Sequence, residues 1–468
     1  MARLLDHALG WVIRERQKRI PFNPHNPFLE GPFAPVLTEV SETRLNVTGR
    51  IPPELDGILA RIGPNPRRVA NPGAYHWFMG DGMVHGLRLR DGAALWYRNR
   101  WIGSDSVRRA AGERPLPGPR RGVTDVVNTN IIGHAGKIWA LVEAGSYPVE
   151  LDGELDSVRH GLFDTGLESG FTAHPHRDPD TGELHAVCYD PMIRNRLRYL
   201  VIDRHGGLAR KVDIPVRHGP MIHDCAITRR YAVILDLPVT FSVRASLEGA
   251  GLPYVWNPDH EGRVGLLPRD GDAASIRWFP VSPCYVFHPC NAYDLEDGSV
   301  IMDVVVHERM FDRSRIGPDS QYVTFERWKM DASTGRVIRT VLSSENQEFP
   351  RFDERLTGRD YRYAYAVGID IDNPQPNALL RHDLRTGNTV RHVYGNGWLS
   401  GEAVFVPRHD AAAEDDGWLL SYVHDLHGGP SRVVILNAGD LDGEPQAVID
   451  LPARVPLGFH GNWIPDCG

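Results

Sequence analysis

Long apolar runs are missing from this chain. Its first apolar stretch, Leu4 to Ile13, runs straight into Arg14-Glu15-Arg16. That is short of the roughly 20 residues a membrane-spanning helix needs, and no signal peptide precedes it, so a cytoplasmic protein is expected. Cysteine is scarce: Cys188, Cys225, Cys284, Cys290 and Cys467, an odd number with no CxxC pair. This excludes a disulfide-stapled scaffold and predicts free thiols in a reducing compartment. A basic excess is also absent. Lys and Arg number 52 against 60 Asp and Glu, a net charge of −8, which argues against nucleic acid as a partner. Long helical patterns are nearly absent, as are low-complexity linkers. Residues 1–468 therefore read as one domain, with 1–30 as an N-terminal extension that carries the one amphipathic helical candidate.

What remains is strand and turn. Short apolar runs recur at His185 to Tyr189, Tyr231 to Leu235, Ser299 to Val306, Trp418 to Val423 and Arg432 to Leu436, punctuated by 47 Gly and 36 Pro. One hairpin signature repeats: DPDTGEL from Asp178, DLEDGSV from Asp294, DASTGRV from Asp331, DLRTGNT from Asp383, and the shorter LRDGAAL ending at Leu95. Each places Gly, which tolerates positive φ, between two β-rich runs. A hairpin repeated along a long chain predicts an all-β fold of recurring antiparallel sheets, hence a β-propeller.

Among 21 histidines, four share a setting: FTAHPH (His174), MIHDCA (His223), YVFHPCNAY (His288) and GFHGNW (His460). Each follows apolar residues and precedes Pro, Asp or Gly, the pattern of a strand end where the chain leaves the sheet. The intervals of 49, 65 and 172 residues fit no single helix or hairpin. They fit separate blades whose inner strands converge on an axis. Imidazole suits iron, zinc, copper and nickel, and a neutral His ligand needs its second nitrogen anchored. Glu143 in WALVEAG, Glu348 opening EFPRF and Glu402 in SGEAVFVPR are carboxylates in apolar settings, where an unpartnered charge would be costly.

From about Arg61 to Trp463 the sequence resembles the carotenoid cleavage oxygenase family. The motifs that carry the likeness are ARIGPNP (60–66), FMGDGMVH (78–85), VEAG, AHPHRDP (173–179), MIHD, FHPCNAY, EFPR, GEAVFVPR and GFHGNW, in order along the chain. The resemblance implies a seven-bladed propeller with a loop and helix cap over the metal face. It implies one axial Fe(2+) on His174, His223, His288 and His460, with O2 as co-substrate, and the family's supporting glutamates at Glu143, Glu348 and Glu402. The family usually leaves its fourth histidine without such a carboxylate. Where the family more often has Lys after AHP, this chain has His176. Pro175 reads as ending the strand, which makes His176 a loop residue. His85, His185, His218, His307, His424 and His427 read as core or surface residues.

The expected reaction is oxidative cleavage of a conjugated C=C bond in a small lipophilic carotenoid or apocarotenoid. Stilbene cleavage is the alternative, because stilbene cleavers resemble one another in a Tyr and Lys pair that grips the phenol. Lys137 matches that Lys. Trp101 stands at the Tyr position, or Tyr97 if the register slips. A non-catalytic propeller scaffold and a zinc hydrolase are the other readings. Leu4, Leu5, Leu9 and Trp11, with the nearby Arg14, Arg16, Lys18 and Arg19, and the segment Ser242 to Trp256 could each touch a membrane surface.

Overall fold

A computed structural model describes residues 15–120, 125–167, 170–370 and 376–466. Seven antiparallel sheets of four or more strands stand around one axis as a seven-bladed propeller. The ring is closed from both ends of the chain. Gly461–Pro465 pairs with Gly57–Pro64 as the innermost strand of the first blade, and Asn46–Gly49 pairs with Ala447–Asp450 as the outermost strand of the last. Two hydrogen-bonded ladders therefore tie early segments of the chain to late ones.

The repeated hairpin signature forms tight connections between neighbouring strands, with Gly92, Gly182, Gly298, Gly335 and Gly387 at φ +67 to +82. In three of these turns the leading aspartate caps the loop. Asp178, Asp331 and Asp383 each accept hydrogen bonds from backbone N–H groups two and three residues on. Burial follows position in the blade. Leu184–Cys188 and Val300–His307 are buried along their whole length, because neighbouring blades cover both faces. The outer strand Leu208–Pro215 alternates between half-buried and exposed positions, with only Ile214 fully buried, as a one-sided strand must.

Loops and short helices cover one end of the axis. Short 3-10 turns at Pro27–Leu29, Gly31–Phe33 and Trp77–Met79 bring Phe28 and Trp77 into a stack at 5.1 Å, and Trp77 packs on Phe459 at 4.8 Å. The Ser242 to Trp256 segment contributes the helix Val243–Leu247 and the strand Tyr254–Trp256 to the same cover. The predicted N-terminal amphipathic stretch lies outside the described residues, as does Cys467. Cys188, Cys225, Cys284 and Cys290 are buried free thiols. Among the described residues no helix is long and apolar enough to cross a membrane.

Candidate metal centre

The four histidines enter the axis in one way. His288 and His460 immediately precede the innermost strands Pro289–Asp294 and Gly461–Pro465, and His174 and His223 stand two residues before His176–Arg177 and Cys225–Ile227. They therefore mark strand beginnings, not the strand ends their sequence setting suggested. The residues after them were read as breaks, but Pro is tolerated as the first residue of a strand, where no ladder donor is needed. The same correction applies to His176. Pro175 precedes a strand instead of ending one, and His176 pairs with His185 across it.

The chain brings the four rings together. One nitrogen from each of His174, His223, His288 and His460 lies within 4.8 Å of the others, and all four residues are buried. Ring centroids are 4.5 Å apart for His174–His223 and His174–His460, and 4.8 Å for His288–His460. The Nε2 atoms of His223 and His288 are 3.1 Å apart.

Three carboxylates set the tautomers. His288 Nδ1 is 2.6 Å from Glu348 Oε2, His460 Nδ1 is 3.0 Å from Glu402 Oε1, and His223 Nδ1 forms an ion pair with Glu143 Oε2. A carboxylate only accepts, so each Nδ1 carries the proton and each Nε2 presents a lone pair to the common centre. Lone pairs facing across 3.1 Å need positive charge between them, from a proton or a metal ion. The fourth ring differs: His174 Nε2 is buried without a partner, and its Nδ1 is 3.9 Å from Asp224 Oδ2, too far for a hydrogen bond.

Backbone distortion aims these carboxylates. Glu348 sits at a β-bulge in Gln347–Arg351, followed by Phe349 at φ +56. Ala144, after Glu143, is at φ +50. Glu402 lies in the break between Trp398–Leu399 and Ala403–Pro407, where Gly401 approaches the Tyr422 carbonyl so closely that a Cβ would be 2.2 Å from its oxygen. Bulges and strained residues of this kind re-aim side chains at functional sites.

Each carboxylate is held by further donors. Glu143 Oε1 accepts from the Tyr189 hydroxyl at 2.6 Å. Glu402 Oε2 accepts from the Gly461 N–H at 2.9 Å, and its Oε1 lies 3.4 Å from Arg351. Glu348 Oε2 also accepts from the Phe349 N–H at 2.6 Å, while Oε1 is 2.7 Å from His307 Nε2. Burial works against the charge on both Glu348 and Glu402, yet the facing imidazoles prevail. Glu348 is held far below the ordinary carboxylate range and Glu402 at about 2. Burial, then the charges of its three companions, pushes His174 well below 6.5, and burial also lowers His460. Burial opposes the charge on His288 too, but there the Glu348 carboxylate outweighs it and raises the imidazole.

These residues fit a borderline divalent metal. Four neutral nitrogen donors converge, three of them oriented from behind, one has an orphaned buried nitrogen, and no thiolate competes. His307 was read from sequence as an ordinary core residue; instead it shares Glu348 with His288. Its only sequence signal is its place at the end of an apolar strand. His85, His185 and His424 have structural partners in Tyr97, Tyr199 and the Val455 carbonyl, and His218 pairs with His260. His427 is exposed.

On the cap side of the rings lies a cavity of about 860 Å³, lined by Phe28, Trp77, Phe78, Tyr254, Phe287 and Phe459 among others. Neither Trp101 nor Lys137 lines it. Trp101 is buried in the first blade and donates from Nε1 to the Asn65 carbonyl at 3.0 Å. Tyr97 is fully buried against His85. Lys137 opens a hairpin strand on the outside and pairs with Glu150 at 3.4 Å and Asp164 at 3.5 Å. Their expected role as substrate contacts is not supported by where the fold puts them.

Known proteins resemble this chain over nearly its whole length. A carotenoid cleavage oxygenase of Mycobacterium tuberculosis is 44% identical, covering 94% of this chain and 98% of that one. The lignostilbene dioxygenase of Pseudomonas brassicacearum superposes with a TM-score of 0.86 at 28% identity, covering 96% of this chain and all of that one. A cobalt-substituted apocarotenoid oxygenase of Synechocystis gives 0.82 at 27% identity, covering 92% and 97%. Residues 33–465 match the family described as retinal pigment epithelial membrane protein, and the chain belongs to that family, the carotenoid cleavage oxygenases.

Proposed function

We propose that this chain is a non-heme iron(II) dioxygenase that cleaves a conjugated C=C bond of a carotenoid or apocarotenoid to carbonyl products. One observation carries the reading: four buried imidazoles, three of them oriented by carboxylates, converge beside a large aromatic-lined cavity. His174, His223, His288 and His460 would hold the metal, which when bound supplies the redox chemistry with O2 that side chains cannot. Glu143, Glu348 and Glu402 keep three Nδ1 atoms protonated and so keep the Nε2 lone pairs aimed. Trp77, Phe78, Phe287 and Phe459 exclude water and offer ring faces to a flat polyene. The name of the mycobacterial relative supports this substrate class. A lipophilic substrate must come from a membrane or micelle. Val243 and Leu247 are about half exposed beside cavity residues Leu252 and Tyr254, which suits a transient surface contact by a cytoplasmic protein.

The second reading, stilbene cleavage, draws on the likeness to lignostilbene dioxygenase. Against it, Lys137 is engaged on the outside of its blade and Trp101 is buried away from the cavity. The test is a panel of β-carotene, an apocarotenal, resveratrol and isoeugenol, given to iron-loaded protein with and without O2. Expected are oxygen-dependent carbonyl products from the polyenes, read by mass spectrometry. Cleavage of the phenols alone would establish the second reading. An iron-loaded protein that cleaves none of them would refute both readings of the substrate.

A further inference from the structure

The four rings separate two spaces of opposite character. Residues just before the histidines in sequence, such as Phe287 and Phe459, line the large apolar cavity on the cap side. Residues just after them, such as Pro175, Pro289 and Asn462, line a second cavity of about 160 Å³ that runs down the axis between the inner strands. This axial pocket touches His174, His288 and His460, and its wall mixes charged side chains with apolar ones such as Ile132, Leu184 and Phe352. Its acids are Asp224, Glu354 and Glu402, and its bases are His176, Arg177 and Arg351. The arginines are committed. Arg351 binds Glu354 at 2.9 Å and Asn462 at 2.8 Å, and Arg177 turns onto the Gly133 carbonyl at 2.5 Å. Glu354 and the partly exposed His176 put the outer end of the pocket at the solvent.

We propose that this axial pocket is the route by which the divalent metal reaches and leaves the four histidines, with His176 and Asp224 as the pair that receives the ion from solvent. The inference rests on the metal-centre reading above. The wall of the cap-side cavity is mainly apolar, so a hydrated divalent cation finds few oxygens there to exchange for its water, Gln321, Asn346 and Asp370 among them. The axial pocket offers donors in sequence. His176 Nε2 is 2.8 Å from Asp224 Oδ1, and Asp224 Oδ2 is 3.9 Å from Nδ1 of His174. Asp224 thus stands between the partly exposed His176, which it binds, and the buried His174, whose orphaned Nε2 belongs to the cluster at the pocket's inner end. His176, the departure from the family's usual Lys, is a donor that a cation can coordinate, where an ammonium would repel it. Substrate and metal then use opposite doors, so a bound polyene does not seal the metal path.

The test follows Fe(II) leaving the anaerobic holoenzyme to a small chelator, and returning to the stripped protein. Asp224→Asn removes a charge that focuses the cation and His176→Gln an imidazole that coordinates it; each should slow release and reloading alike by about tenfold, the lower range for such focusing, with affinity for Fe(II) unchanged. Filling the apolar cavity with an alkyl detergent monomer should leave wild-type release as fast as before. Wild-type rates in both variants, or release blocked by the detergent, would overturn the route. A changed affinity with unchanged reloading would overturn it too, assigning the pair to ligand positioning. Should Asp224→Asn fail to fold, His176→Gln carries the test. Full iron stoichiometry with unaltered rates sinks the route alone, whereas protein that takes up no iron sinks the metal centre itself.

Discussion

Two chemically identical substitutions should differ because of what faces each carboxylate. In Glu348→Gln the new amide must turn its NH2 toward one of three groups: His288 Nδ1, the Phe349 N–H or His307 Nε2. The last can yield. His307 Nδ1 has no partner, so that ring can move its proton to Nδ1 and accept the amide at Nε2. The carbonyl oxygen then still serves His288; charge assistance is lost, and the partnerless His307 Nδ1, already unsatisfied as an acceptor, becomes an unsatisfied donor away from the metal ligands. In Glu402→Gln the groups are His460 Nδ1 and Arg351 on one oxygen and the Gly461 N–H on the other. Arg351 and the backbone can only donate, and His460 can accept only by moving its proton to the nitrogen that should hold the metal. Loss of an orienting carboxylate typically weakens metal binding about 10- to 100-fold. Glu348→Gln belongs at the low end. Glu402→Gln adds a buried donor without an acceptor, about 1–3 kcal/mol, and so belongs at or beyond the high end. Competition titration of Fe(II) or Co(II) against a chelator gives both constants, with circular dichroism to confirm folding. Equal losses, or a greater loss in Glu348→Gln, would refute the tautomer reasoning.

Three further outcomes are expected. His307→Phe leaves Glu348 Oε1 buried without a donor and should lower stability by about 1–3 kcal/mol in urea unfolding, while His307→Gln, which can still donate, should recover most of it. The Glu402 carboxyl sits at about 2 against an ordinary 4.5, so the native state binds fewer protons than the unfolded chain between those values. Its stabilisation is complete above the unfolded value and disappears as pH falls toward 2, and the acid limb of metal-free unfolding should flatten in Glu402→Gln. Gly335→Ala, at φ +67 with open space around it, should cost only about 1 kcal/mol in backbone strain. In Gly82→Ala a Cβ would stand 1.8 Å from the Val127 carbonyl oxygen, and that protein should not accumulate folded.

The propeller was legible in the turns before anything else. A Gly in the left-handed region, joined in three turns by a leading Asp that caps its own loop, is local chemistry, and the five signatures landed on five hairpins. Blade closure was not legible. The segment around Asn46 looks like loop in isolation, and all four of its residues are exposed; only the partner strand Ala447–Asp450, some 400 residues on, gives it a ladder. Sequence separation of that size leaves no local trace.

The site shows where residue type stops being informative. Histidine spacing pointed to separate blades, but strand direction was inverted, because Pro after His reads equally as a strand's end or its beginning. The glutamates could be picked out as charges in apolar settings, yet what aims them is backbone: a bulge at Glu348, positive φ at Ala144 and Phe349, and a break at Gly401. Only the break has a residue that the geometry demands, Gly401; Ala and Phe both disfavour positive φ. Strain held in place by the surrounding blades is a tertiary property. His307 follows the same logic. Its identity is unremarkable until the Glu348 bulge turns an oxygen toward it, and then it becomes the one donor in the cluster able to change tautomer. The ligands themselves are readable from sequence because metal chemistry restricts them to a few residue types. The network that orients them is readable only from the fold, because any backbone distortion that brings a donor to the right oxygen will serve.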